Sequence, residues 1–169
     1  MANKPKVGIL MGSDSDLNVM REAATRLDYF GIAYEIRIMS AHRTPDKAAA
    51  YASSAQDRGL EVIIAGAGAA AHLAGAMAAS TTLPVIGIPI DSSSLKGLDA
   101  LLATVQMPAG IPVATMAIGK AGAANAGIFA AQIVARKDAQ VAAKLTQFKK
   151  EMAAGVEDKD RKLQSAKPG

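Results

Sequence analysis

The stretch VIIAGAGAAAHLAGAMAA, residues 62–79, carries no charge and is long enough to cross a bilayer. Its composition points elsewhere. Gly and Ala contribute little transfer free energy, and His72 would have to leave water. VIIAG reads instead as a buried strand, and the Ala- and Gly-rich remainder as a helix packed closely against it. A strand apolar on both faces and followed by a helix is the building unit of a parallel sheet covered on both sides.

The same unit recurs on either side. Strands are predicted at 6–11, 33–39, 61–66, 84–90 and 113–118. Helices are predicted at about 15–29, 45–57, 70–80, 95–105, 122–135 and 138–154. Five strands at this spacing predict an α/β fold: a three-layer, doubly wound, flavodoxin-like sheet with strand order 2-1-3-4-5, plus a C-terminal helix. No linker, repeat or change of composition interrupts residues 1–155, which form one expected domain. Residues 156–169 are expected to be a polar, frayed tail.

Composition narrows the function. Half of the 169 residues are apolar but only 4% are aromatic, so the core is built from Ala, Val, Ile, Leu and Met. There is no Cys, which excludes thiol nucleophiles and thiolate metal sites and fits a cytoplasmic location. The N-terminal MANKPKVGIL has no long apolar segment of the kind a signal peptide carries. The net charge of +4 lies entirely in residues 136–169, which hold 9 basic and 5 acidic side chains; residues 1–135 hold 10 of each. Interspersed charge without interleaved aromatics reads as a solvated helix rather than a nucleic-acid surface. Two His and no Cys offer no recognisable metal-ligand set.

In a doubly wound sheet, ligands bind beyond the carboxyl ends of the strands where strand order reverses, here between strands one and three. Three loops border that crevice: GSDSD (12–16), SAHRTP (40–45) and GAGAAAH (66–72). In GSDSD, a helix N-terminus with Ser hydroxyls suits a phosphate, and the aspartates suit a sugar diol; Ser and Asp are equally ordinary helix caps. In SAHRTP, Thr44 and Pro45 are explained as a helix start. His42 and Arg43 are not: one moves a proton near neutral pH, the other is a forked cation for phosphate or carboxylate. In the third loop, Gly66, Gly68 and Ala71 match the G-x-G-x-x-A of a dinucleotide site, with Asp91 ending the next strand as the ribose acid. The same glycines also fit close approach of a small ligand, or plain strand–helix packing. QMPAGIPVATMAIGKAGAANAG (106–127) is rich enough in small residues for a subunit interface or a close-packed helix.

Taken together and in order, GSDSD, SAHRTP, AGAGAAAHL, QMP-x-G-x-PVAT and AIGKAGAANAG resemble the N5-carboxyaminoimidazole ribonucleotide mutases of bacterial purine biosynthesis, the PurE family in its class I form, over roughly residues 6–135. The resemblance implies a compact homo-octamer with sites at subunit contacts. It implies carboxyl transfer within a ribonucleotide through released CO2, without ATP, metal, biotin or another cofactor. Carried over by motif, His42 is the acid/base, while Ser13, Asp16 and Arg43 bind the nucleotide. Ser40, Gly68 and His72 line the site. Members usually read HLPGM where this chain reads HLAGAM, so Ala74 and Ala76 stand in place of a proline and a methionine. The resemblance sets aside the dinucleotide reading and leaves a free-CO2 carboxylase as the nearest alternative.

Overall fold

The computed structural model describes residues 4–166. Its elements run β1 (Val7–Met11), a 3-10 turn (Asp14–Asp16), α1 (Leu17–Phe30), β2 (Tyr34–Ile38), α2 (Pro45–Ser54), β3 (Val62–Gly68), α3 (Leu73–Ala79), β4 (Val85–Ile90), α4 (Leu98–Val105), β5 (Ala114–Thr115), α5 (Gly119–Val134) and α6 (Ala139–Ser165). The five strands are all parallel and lie in the order β2-β1-β3-β4-β5, the flavodoxin-like arrangement expected from the alternation. The uncharged run 62–79 resolves into β3, a turn and the seven-residue α3. No helix among the described residues is long and apolar enough to span a membrane.

Every residue of β1 and β4 is buried, so neither strand alternates in polarity. The period of two appears instead in what each side chain meets. Val7, Ile9 and Met11 face a core shared with α1, α5 and α6, whereas Leu10 faces one shared with α2 and α3. On the first face the helices are very close. A Cβ at Gly127 in α5 would stand 2.6 Å from the carbonyl oxygen of Ala23 in α1, so only glycine lets the two backbones meet there. That contact explains much of the Ala and Gly in 119–134, where Gly122, Ala123, Ala126, Ala130 and Ala131 are also buried.

The edge strand β2 is more exposed and is tied down by polar contacts. Glu35 accepts from the Tyr51 hydroxyl (2.8 Å) and from Arg58, whose guanidinium lies over the Tyr51 ring. Burial, reinforced by the Glu35 contact, pushes the Tyr51 phenol up to about 12.

Two elements differ most from expectation. β5 is two residues long rather than 113–118. Gly87 O accepts from Met116 N, so position 89, two residues further on, would have to donate toward β5. Pro89 has no N–H and the ladder stops. At the other end, α6 does not end near 154 but continues to Ser165, past the expected boundary at 155. Asp138 starts it by accepting from Gln140 N and Val141 N. Asp158 supports the last turns through Lys162 (2.7 Å) and Arg161 (3.7 Å). The part of the expected tail at 167–169 lies outside the described residues.

Candidate active site

The carboxyl ends of β1, β2, β3 and β4 surround a cavity of about 330 Å³. Of the residues expected there, Ser13, Asp16, Ser40, His42, Arg43 and Gly68 line it. The strand order brings them together, since β1 lies between β2 and β3 and the three following loops face one another.

The loop after β1 is organised by Ser13, whose extended backbone starts the 3-10 turn. Its Oγ accepts from Ser15 N (3.3 Å) and Ser15 Oγ (2.9 Å). This makes Ser13 a cap, and it also curls the loop so that Asp16 turns inward. Asp16 is only 7% exposed. Burial raises its carboxyl above the ordinary 3.8, against the lowering effect of hydrogen bonds from Ser13 and Ser15.

The loop after β2 is stapled to itself. Ser40 N donates to Thr44 Oγ1 (2.9 Å), and Thr44 Oγ1 donates back to Ser40 O (3.1 Å). Thr44 precedes Pro45 at the start of α2, as expected, but its hydroxyl closes this loop and does not cap the helix. Ser40 Oγ accepts from His42 N (3.3 Å) and Arg43 N (3.1 Å), which holds His42 and Arg43 in a fixed turn. Arg43 then reaches across to β1, where its Nη2 donates to Gly12 O (3.1 Å). One nitrogen is used in positioning, leaving most of the fork's donors for a ligand.

His72 is placed differently from expectation. It lies beside the cavity, and its Nδ1 stands 2.8 Å from His42 Nε2, with the rings edge to face. One nitrogen of this contact donates and the other accepts, so the contact holds a single proton. Two histidinium rings cannot both keep it. His72 therefore bears on His42, and His42 bears on the cavity. The turn carrying His72 is tight: Ala69 has φ 51°, a left-handed conformation rare for a residue with a Cβ.

The dinucleotide pattern is not built as such a site. Gly66 and Gly68 lie within β3 rather than in a turn. A Cβ at Gly66 would collide with Met20 Sδ, and one at Gly68 with Ser92. Both glycines make room for protein atoms. Asp91 does not line the cavity; it stands near Gly119, where a carboxylate complements the N-terminus of α5.

Ser92 lines the cavity and was not expected from sequence. Its only signal was its place directly after a strand end, in DSSSLKG (91–97), a loop away from the assumed crevice. Ala74, at the expected proline position, is buried in the first turn of α3, where a proline would also be accepted.

Comparison with known proteins adds to this geometry. A family model described as AIR carboxylase matches residues 6–155. The N5-carboxyaminoimidazole ribonucleotide mutase of Pyrococcus horikoshii is 56% identical over 163 residues, covering 96% of this chain and 91% of that protein. The protein of the same name from Vibrio parahaemolyticus is 58% identical over 151 residues, covering 89% and 94%. A crystal structure of Treponema denticola PurE is similar with a TM-score of 0.84 at 32% identity, covering 94% of this chain and 98% of that one.

Proposed function

We propose, from the premise that this chain belongs to the AIR carboxylase family, that it is an N5-carboxyaminoimidazole ribonucleotide mutase, an isomerase of purine biosynthesis. The observation that carries the mechanism is the position of His42. It borders a cavity whose walls also hold a forked cation, Arg43, and a buried carboxylate, Asp16.

Arg43 and the loop 12–16 hold the phosphate, and Asp16 accepts from the ribose hydroxyls. His42 then protonates the carbamate nitrogen. The N–C bond breaks, releasing CO2 and leaving the free amine. The aminoimidazole is an enamine, so its C4 is already nucleophilic and no cofactor is required to activate it. C4 attacks CO2 and the new C–C bond forms. The C4 proton passes to the now neutral His42, restoring the starting state and leaving 4-carboxy-5-aminoimidazole ribonucleotide. Ala67, Ala70 and Leu73 give the cavity an apolar side on which CO2 is retained between the two steps. An ultraviolet assay tests this reading: the carbamate substrate should give product at a low concentration where free aminoimidazole ribonucleotide with bicarbonate does not. Equal turnover of the two would favour a carboxylase using free CO2.

The chain works as a homo-oligomer, an octamer by family resemblance, in the cytoplasm. Support for assembly comes from α4, whose Leu98, Leu102 and Val105 repeat at helical spacing and are about half exposed, with Leu95 beside them. Light scattering should give a mass several times 17.3 kDa; a fully active species at that mass would reject assembly.

Asp16 gives a prediction with a sign. Its folded pKa is raised, so its charge opposes folding at neutral pH. That cost is fully present above the raised value and disappears as pH falls through it toward 3.8. Asp16→Asn should therefore melt at or above the wild-type temperature at pH 7, with the difference shrinking in acid, while KM for the nucleotide rises. A lower melting temperature together with an unchanged KM would show that Asp16 serves the fold and not the ribose.

A further inference from the structure

Four serines line the cavity. Three have their hydroxyls engaged within the chain: Ser13 with Ser15, and Ser40 with the amides of His42 and Arg43. The fourth, Ser92, has a hydroxyl with no hydrogen-bond partner among the described residues, and it is exposed to the cavity. Its placement is built, not incidental. The side chain lies across Gly68, in space that any Cβ at position 68 would take. The next residue anchors the loop, since Ser93 Oγ donates to Asp99 Oδ2 (2.7 Å) and accepts from Leu95 N. Lys96 at φ 50° and Gly97 at φ 85° complete the turn into α4.

The position of Ser92 says which part of a ligand it meets. Arg43 and Ser13 follow β2 and β1, while Ser92 follows β4, two strands beyond β1. At ~4.8 Å per strand this is ~10 Å from the phosphate end. A mononucleotide anchored by its phosphate at β1 places its base toward β3 and β4. Gly68 lies against Ser92, and the other residues that β3 and the turn after it give the cavity, Ala67 and Ala70, have no polar side chain.

Resting on the mutase reading, we propose that Ser92 is a specificity-determining residue: its hydroxyl donates to the carboxylate on the base and so distinguishes the carboxylated nucleotide from the bare aminoimidazole ribonucleotide. Gly68 is required because it admits that hydroxyl. A hydrogen bond to a charged group is strong enough to change affinity about tenfold or more.

Calorimetry with the carboxylated product and with aminoimidazole ribonucleotide, on the full chain, tests this. Wild-type protein should prefer the carboxylated nucleotide. Ser92→Ala should lower that preference about tenfold, with affinity for the bare nucleotide within twofold of wild type. Ser92→Thr, which keeps the hydroxyl, should retain the preference. An unchanged preference in Ser92→Ala, an equal loss for both nucleotides, or a wild type without preference overturns the role of Ser92 alone. Wild-type protein that binds neither nucleotide overturns the mutase reading and this inference with it.

Discussion

His42→Asn should lower kcat by ~10²–10⁴ while leaving the protein folded and able to bind product. The upper end is expected because the proposed mechanism asks one group to serve two proton transfers, giving a proton to the carbamate nitrogen and taking one from C4. Asn keeps some hydrogen bonding but cannot exchange a proton. Stability should change little, since His42 is exposed and its only side-chain hydrogen bond among the described residues is with His72. The backbone turn is held by Ser40 Oγ acting on main-chain amides, which the substitution leaves in place. Turnover, melting temperature and product affinity should be measured on one sample. A folded variant within tenfold of wild-type kcat would remove His42 from the proton transfers and move them to His72. A variant that loses stability but keeps its turnover per folded molecule would make His42 a structural residue.

The second large effect is expected at Arg43. Arg43→Lys keeps the positive charge but loses the planar fork, and with it the contact to Gly12 O that fixes the side chain across the end of β1. Nucleotide KM should rise about ten- to a hundredfold, the size of one or two lost charge-assisted hydrogen bonds, with a smaller change in kcat. The informative comparison is with the phosphate-free nucleoside. Wild-type protein should discriminate strongly against it, and Arg43→Lys should discriminate much less, because the interaction proposed to be lost is with the phosphate itself. If the variant rejects the nucleoside as well as wild type does, Arg43 does not read the phosphate. Because Arg43 is exposed, a fall in melting temperature is not expected to accompany the kinetic change.

The fold was legible because its signals are local. A continuous apolar strand, a helix of 3.6-residue period and a polar loop each announce themselves within a few residues, and their alternation leaves few parallel topologies. The cluster of His42, Arg43, Ser13 and Asp16 followed from that topology, since ligands gather where the strand order reverses. The resemblance to a known family rested on these loops read together with AGAGAAAHL, QMP-x-G-x-PVAT and AIGKAGAANAG.

What the sequence could not supply depends on separate segments meeting in space. The contact between His42 and His72 joins residues thirty positions apart. The packing of Ser92 over Gly68 depends on how β4 lies against β3. Without those contacts, Gly66, Gly68 and Ala71 fit a dinucleotide turn. With them, the glycines are spaces filled by Met20 and Ser92. The short β5 likewise depends on which side of β4 Pro89 would have had to donate from. Composition, periodicity and capping determined the elements and the loops that carry chemistry. Only the tertiary structure decided which side chains in those loops are held by other protein atoms and which are left to meet a substrate, because a hydroxyl or an imidazole is committed by its neighbours in space and not by its neighbours in the chain.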